Sequence, residues 1–180
     1  RVAPESLEWL RGQLAEPAGE GTILALHHAP LPVVQDIAAT WELVGQDDLA
    51  EAVGGTDVRC IIGGHFHQSS YGVFAGIEVS AATSTCYTQD LYTGRGSRGH
   101  AGGQGFNLVR VYDDTINHTL VPVGRYDTVT PFRTVEETAA VLAERGGGVA
   151  SIPTPGLPRT GPPPGRDAAA SRGIPSISGS

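Results

Sequence analysis

Lysine is absent from this chain, whose cations are twelve arginines set against nineteen aspartates and glutamates, for a net charge of −7. The arginines are scattered, and an acidic balance without a clustered basic face excludes general nucleic-acid binding. Methionine is absent too, position 1 included. No apolar stretch approaches the roughly 18 residues that cross a bilayer. The two cysteines, Cys60 and Cys86, have no recognisable pair spacing. They read as reduced core residues of a cytoplasmic protein, Cys60 inside a buried strand and Cys86 beside a cleft. No G-x-x-x-x-G-K-S/T stretch occurs, which removes a P-loop reading of the glycine-rich segment 93–105. Arg without Lys, with much Ala, Gly and Pro, points to a GC-rich coding sequence.

The length permits one domain. Composition changes after Gly146: Ser151–Ser180 carries seven prolines and few large apolar residues. Such a segment buries too little surface to offset chain entropy, so residues 1–146 are expected to fold and 147–180 to form a disordered tail. Its three cations, Arg159, Arg166 and Arg172, are too few for strong anchoring to a membrane surface.

Within residues 1–146, apolar periodicity predicts a helix over 4–15, strands at 22–27 and 57–62, and a helical stretch over 36–53 broken near Gly45. Short strands follow at 70–75, 77–82 and 84–87, with Tyr71-Gly72 and Ala75-Gly76 as turn punctuation. Residues 93–105 read as a loop in which Arg95, Arg98 and His100 are solvated. Strands at 106–112 and 116–123 meet at the turn Asp113-Asp114-Thr115, with His118 on the exposed face. A helix over 134–145 turns Val135, Ala139 and Leu142 to one side.

Two of these strands end in histidine. Thr22-Ile23-Leu24-Ala25-Leu26 delivers His27-His28-Ala29-Pro30, and Val58-Arg59-Cys60-Ile61-Ile62 delivers Gly63-Gly64-His65-Phe66-His67. Ligands of open α/β sheets collect at the carboxyl ends of strands, so at least three imidazoles are expected to converge. Imidazole is the commonest metal-binding side chain, which makes a metal site the leading expectation. In an extended segment His65 and His67 would point to one side, with Cα atoms roughly 6.6 Å apart at about 3.3 Å per residue.

These two stretches, with Phe74-Ala75-Gly76-Ile77-Glu78-Val79-Ser80, Ala82-Thr83-Ser84-Thr85-Cys86-Tyr87-Thr88-Gln89-Asp90-Leu91 and Gln104-Gly105-Phe106-Asn107-Leu108-Val109, carry a resemblance. Over about residues 4–124 the chain resembles the C-terminal half of calcineurin-like metallophosphoesterases, and within them the bacterial class III cyclic-nucleotide phosphodiesterases. The G-H-x-H motif is shared by the whole superfamily, whereas Cys86-Tyr87-Thr88-Gln89-Asp90-Leu91 resembles the narrower group.

The resemblance implies an α/β fold of the metallophosphoesterase type, a β-sandwich flanked by helices, present here as its C-terminal half. It implies two divalent metal ions, Fe, Mn or Zn, and hydrolysis of a 3',5'-cyclic nucleotide such as cAMP by a two-metal hydroxide route. By motif, His27 and His65 would bind one ion and His67 the other. His28 would be the candidate catalytic residue near the leaving group, with a packing role as the alternative. Ala29 stands where the family often has Pro. The family's D-x-H, G-D-x-x-D and G-N-H motifs do not occur in this chain. Three neutral histidines cannot bridge two cations or balance their charge, so the chain alone is expected to be inactive or nearly so. The expected partners are a small phosphodiester or cyclic nucleotide and a second copy as a homodimer, with no nucleic acid and no membrane span.

Other readings fit less well. A cupin would carry Glu shortly after H-x-H, and Gln68-Ser69-Ser70-Tyr71-Gly72 has none. A metallo-β-lactamase-type hydrolase would place Asp-His where Ser69-Ser70 stand. The rival from another class is a non-catalytic phosphoesterase-like binding or dimerisation module.

Overall fold

The computed structural model describes residues 1–93 and 96–145, so the expected tail lies outside the described residues. Contacts divide the chain into two units, one holding Arg1–Gly124 and the other beginning at Arg125.

In the first unit, Pro4 at the start of helix α1 (Pro4–Gln13) suits a position whose amide has no helical partner. Leu7 and Leu10, with Leu14 at the C-cap, are buried. Strand β1 (Thr22–His28) runs parallel to β2 (Val58–Gly64). Parallel neighbours need a long crossover. Here it contains a 3₁₀ helix (Asp36–Trp41) and helix α2 (Gln46–Val53). The break expected near Gly45 is present: its φ of 76° is left-handed, which glycine adopts without a steric penalty.

Strands β3 (Ser70–Phe74) and β4 (Ile77–Ala81) form an antiparallel hairpin, and β4 pairs parallel with β2. The order β1-β2-β4-β3 makes a four-stranded mixed sheet. Ala75 and Gly76 both have positive φ, as a two-residue hairpin turn of the primed type requires. Tyr71-Gly72 is no turn. Gly72 lies inside β3, where a Cβ would come within 2.7 Å of Leu31 Cδ2, so a close approach requires the glycine there.

The core joins the two helices to this sheet. Leu7, Leu10 and Leu14 cluster with Leu49 and Val53 of α2 and with Ile61 and Val79 of the sheet. Period-2 alternation sends the next residues of each strand to the opposite face. Strands β7 (Gly105–Val111) and β8 (Ile116–Pro122) form the expected hairpin, closed where Tyr112 N donates to Thr115 O at 2.9 Å. Asn107 Nδ2 donates to Ser80 Oγ at 3.1 Å, tying the hairpin to β4. Arg59 Nη1 donates to Glu20 O at 3.1 Å and Nη2 to Asp113 O at 3.2 Å, which fixes the turn to β2.

Two loop expectations are corrected. Residues 84–87 form no strand; pairing begins at β5 (Thr88–Gln89). Its partner β6 (Gly99–His100) lies inside the segment expected to be an irregular loop. Strand pairing was invisible there because glycine has no side chain with which to mark a face. His118 is also corrected. Its side chain lines a cavity with Leu26, Ile62, Ser80 and Asn107, and both ring nitrogens are buried without a hydrogen-bond partner among the described residues.

In the second unit, helix α3 (Val135–Glu144) starts at a capping box. Thr134 Oγ1 accepts from Glu137 N and Glu137 Oε2 accepts from Thr134 N. Its expected apolar side is not buried among the described residues; Val135 is 78% exposed.

Leu49 is fully buried, so Leu49→Ala is expected to cost about 2–5 kcal/mol in urea unfolding. Val34, 69% exposed, should tolerate Val34→Ala within about 0.5 kcal/mol. Equal costs for the two would contradict this account of the core.

Candidate metal centre

The parallel pairing of β1 and β2 puts both carboxyl ends on one side of the molecule, with His28 opposite Gly64. Gly63 lets the chain leaving β1 come close: a Cβ there would sit 3.0 Å from Ala29 Cβ and 3.2 Å from Leu26 O. Beyond Gly64 the strand does not continue as an extended H-x-H. His65 and His67 have φ values of 76° and 54°, both left-handed. The expected same-side display on a straight strand is thus replaced by a sharp bend that buries Phe66 in the core. Left-handed non-glycine residues cost of order 1–3 kcal/mol each and are concentrated at ligand sites.

The bend brings three imidazoles together. His27 Nε2 lies 3.0 Å from His65 Nδ1, and the His28 and His65 ring centroids are 3.9 Å apart. One nitrogen from each of His27, His28 and His65 falls within 4.8 Å of the others. The convergence expected from the strand ends is present, with His28 inside the cluster. His67 lies outside it, with Nδ1 3.0 Å from Tyr87 O and its ring 4.3 Å from the Tyr87 ring.

Burial and crowding disfavour charge on two of these rings. Burial, then the neighbouring His27 and the N-terminal ammonium, lower the pKa of His28. Burial, then His28, His27 and His67, lower that of His65. A neutral ring keeps the lone pair a cation requires. His65 Nε2 is buried with no partner among the described residues. Imidazole nitrogens bind Zn²⁺ at about 2.0–2.1 Å, so two nitrogens 3.0 Å apart are within reach of one ion. No carboxylate joins the cluster among the described residues. The donor set therefore fits one cation and does not by itself provide the bridge that two require.

Around His67 lie residues whose roles the sequence did not reveal. Cys86, expected as a core residue, is instead exposed, with Sγ 3.0 Å from Ser84 Oγ and 4.0 Å from His67 Nδ1. The Ser84 hydroxyl, followed in weight by backbone amides, lowers its thiol pKa, whereas burial raises that of Cys60. Arg98, expected to be solvated, pairs with the buried Asp90: Nε and Nη2 both reach Oδ2 at 2.7 Å. His100 Nδ1 is 4.0 Å from the same oxygen. The signal for this group was the acid eight residues before Arg98 on a segment that folds back as a hairpin. Arg95 lies outside the described residues.

No protein-family profile matches the chain. It is 51% identical over 146 residues to a probable cyclic nucleotide phosphodiesterase of Rhodococcus erythropolis, covering 81% of this chain and 48% of the relative. It is 48% identical over 146 residues to a cAMP/cGMP dual specificity phosphodiesterase of Mycobacterium tuberculosis, covering 81% and 46%. A probable cyclic nucleotide phosphodiesterase of Psychrobacter is 30% identical over 96 residues, covering 48% of this chain and 26% of the relative. The chain thus spans about half the length of the curated relatives it matches. No helix among the described residues is long and apolar enough to cross a membrane.

The lowered pKa values of His28 and His65 predict a pH-dependent stability. Above about pH 6.5 both rings are neutral folded and unfolded, and they contribute no pH dependence. As pH falls through that value the unfolded chain takes up protons that the folded cluster refuses, so stability drops. A second loss is expected as pH falls below about 3.9, where the unfolded carboxyl takes up a proton that folded Asp90 holds off to lower pH, since the Tyr92 amide and then Arg98 lower its pKa. Thermal melts from pH 8 to 5 should show the first drop, and its absence in the doubly substituted His28→Gln, His65→Gln chain would assign it to these rings.

Proposed function

We propose that this chain carries part of a metal-dependent phosphodiesterase centre acting on 3',5'-cyclic nucleotides, cAMP among them. The single observation carrying the reading is the 3.0 Å approach of His27 Nε2 and His65 Nδ1 at adjacent strand ends. It is supported by 48–51% identity over 81% of the chain to relatives named as cyclic nucleotide phosphodiesterases. In this reading the sheet, its helices and the β7–β8 hairpin are part of a metallophosphoesterase β-sandwich.

His27 and His65 would hold one divalent ion, and His67 would contribute a nitrogen to a second. Bound there, such ions neutralise phosphodiester charge and lower the pKa of water toward neutrality. Carboxylates for the second ion must come from outside the described histidine cluster, because neutral imidazoles cannot balance two divalent charges. His28, held neutral, would serve as a hydrogen-bonding group beside the leaving oxygen. The metal identity is left among Fe, Mn and Zn by this donor set.

The 180-residue chain is therefore expected to bind Mn²⁺ or Zn²⁺ in calorimetry but to convert little or no cAMP to AMP. Joined to a segment that supplies carboxylates, it should hydrolyse cAMP in a reaction that EDTA abolishes. His65→Ala should weaken the metal by more than the roughly 10–100-fold that loss of an outer hydrogen-bond partner costs. Hydrolysis that survives EDTA would overturn the metal reading. With no carboxylate in the cluster among the described residues, the second reading is a non-catalytic binding module, which metal uptake without turnover in the joined protein would select.

A further inference from the structure

We infer that the β5–β6 ribbon is a positioning element for His67, setting its tautomer so that Nε2 keeps the free lone pair. Three ties run to this residue from the ribbon and from Tyr87, which leads directly into β5. Tyr87 O lies 3.0 Å from His67 Nδ1, Gln89 N donates to His67 O at 3.1 Å, and the Tyr87 and His67 rings are 4.3 Å apart. A carbonyl oxygen can only accept, so Nδ1 carries the proton. In a neutral ring, Nε2 then has none. The backbone tie also holds His67 in its left-handed conformation, which the chain would otherwise leave.

A pair of two-residue strands is not stable alone, so the ribbon needs its own fastenings. Asp90 supplies them: its carboxylate takes two bonds from Arg98, its amide donates to Arg98 O at 2.9 Å, and its carbonyl accepts from Gln35 Nε2 at 3.0 Å. Thr88 Oγ1 donates to Gly102 O on the opposite side. Gly99 completes the arrangement. A Cβ at this position would come within 2.7 Å of Tyr87 Cδ2, so only glycine lets β6 lie against the ring that lies against His67. Asp90, Arg98 and Gly99 act through Tyr87 and are positioning residues.

The test is the tautomer of His67, read from long-range proton–nitrogen spectra of the ¹⁵N-labelled 180-residue chain. We expect Nδ1–H in the unaltered chain. Gly99→Ala and Asp90→Ala should each mix in Nε2–H at His67 while the spectra of His27, His28 and His65 stay unchanged, which a general loosening of the fold would not do. An Nε2–H tautomer in the unaltered chain overturns the inference, as does an unchanged His67 in both folded variants. Should both variants unfold, the spectrum of the unaltered chain still decides.

Discussion

The parallel register of β1 and β2 is the constraint on which the histidine cluster depends. His28 sits opposite Gly64, so a strand ending in two histidines meets a strand that turns through two glycines into a third. A slip of one residue would move every side chain of a strand to the other face. The register is held by the core on the helical side, where Ile61 and Val79 are buried against α1 and α2. It is also held by the absence of a side chain at Gly63, where the chain after β1 crosses within contact distance. Packing on one face thus sets the imidazole geometry at the end of the sheet.

From that arrangement the electrostatics follow. Imidazoles crowded and partly buried resist protonation, because each charged ring would face others in a poorly solvated place. The same crowding that makes the site unfavourable for protons leaves lone pairs available to a cation. The left-handed backbone at His65 and His67 adds a conformational cost, offset by the burial of Phe66 between them and by the bonds from the β5–β6 ribbon. Stability and chemistry compete at this point, as they commonly do at ligand sites.

Much of this was legible in the sequence. The strands bearing the histidines, the helix before them, the break at Gly45 and the β7–β8 hairpin follow from apolar spacing, glycine and turn residues. The convergence of strand-end histidines follows from the rule on carboxyl ends of strands. What escaped was set by tertiary contacts. Gly72 reads as a turn residue but serves a close approach to Leu31. Arg98 reads as solvated because its partner Asp90 reaches it only when the segment folds back. The bend at His65 reverses an assumption of extended backbone, and His118 lines a cavity with Leu26, Ile62 and Ser80, residues remote from it in the chain.

The most direct test of the central claim is anomalous diffraction from crystals of the 180-residue chain grown with Mn²⁺ or Zn²⁺. The account predicts an anomalous peak bonded to His27 Nε2 and His65 Nδ1. A peak elsewhere, or none with the two rings still hydrogen-bonded to each other, would contradict it.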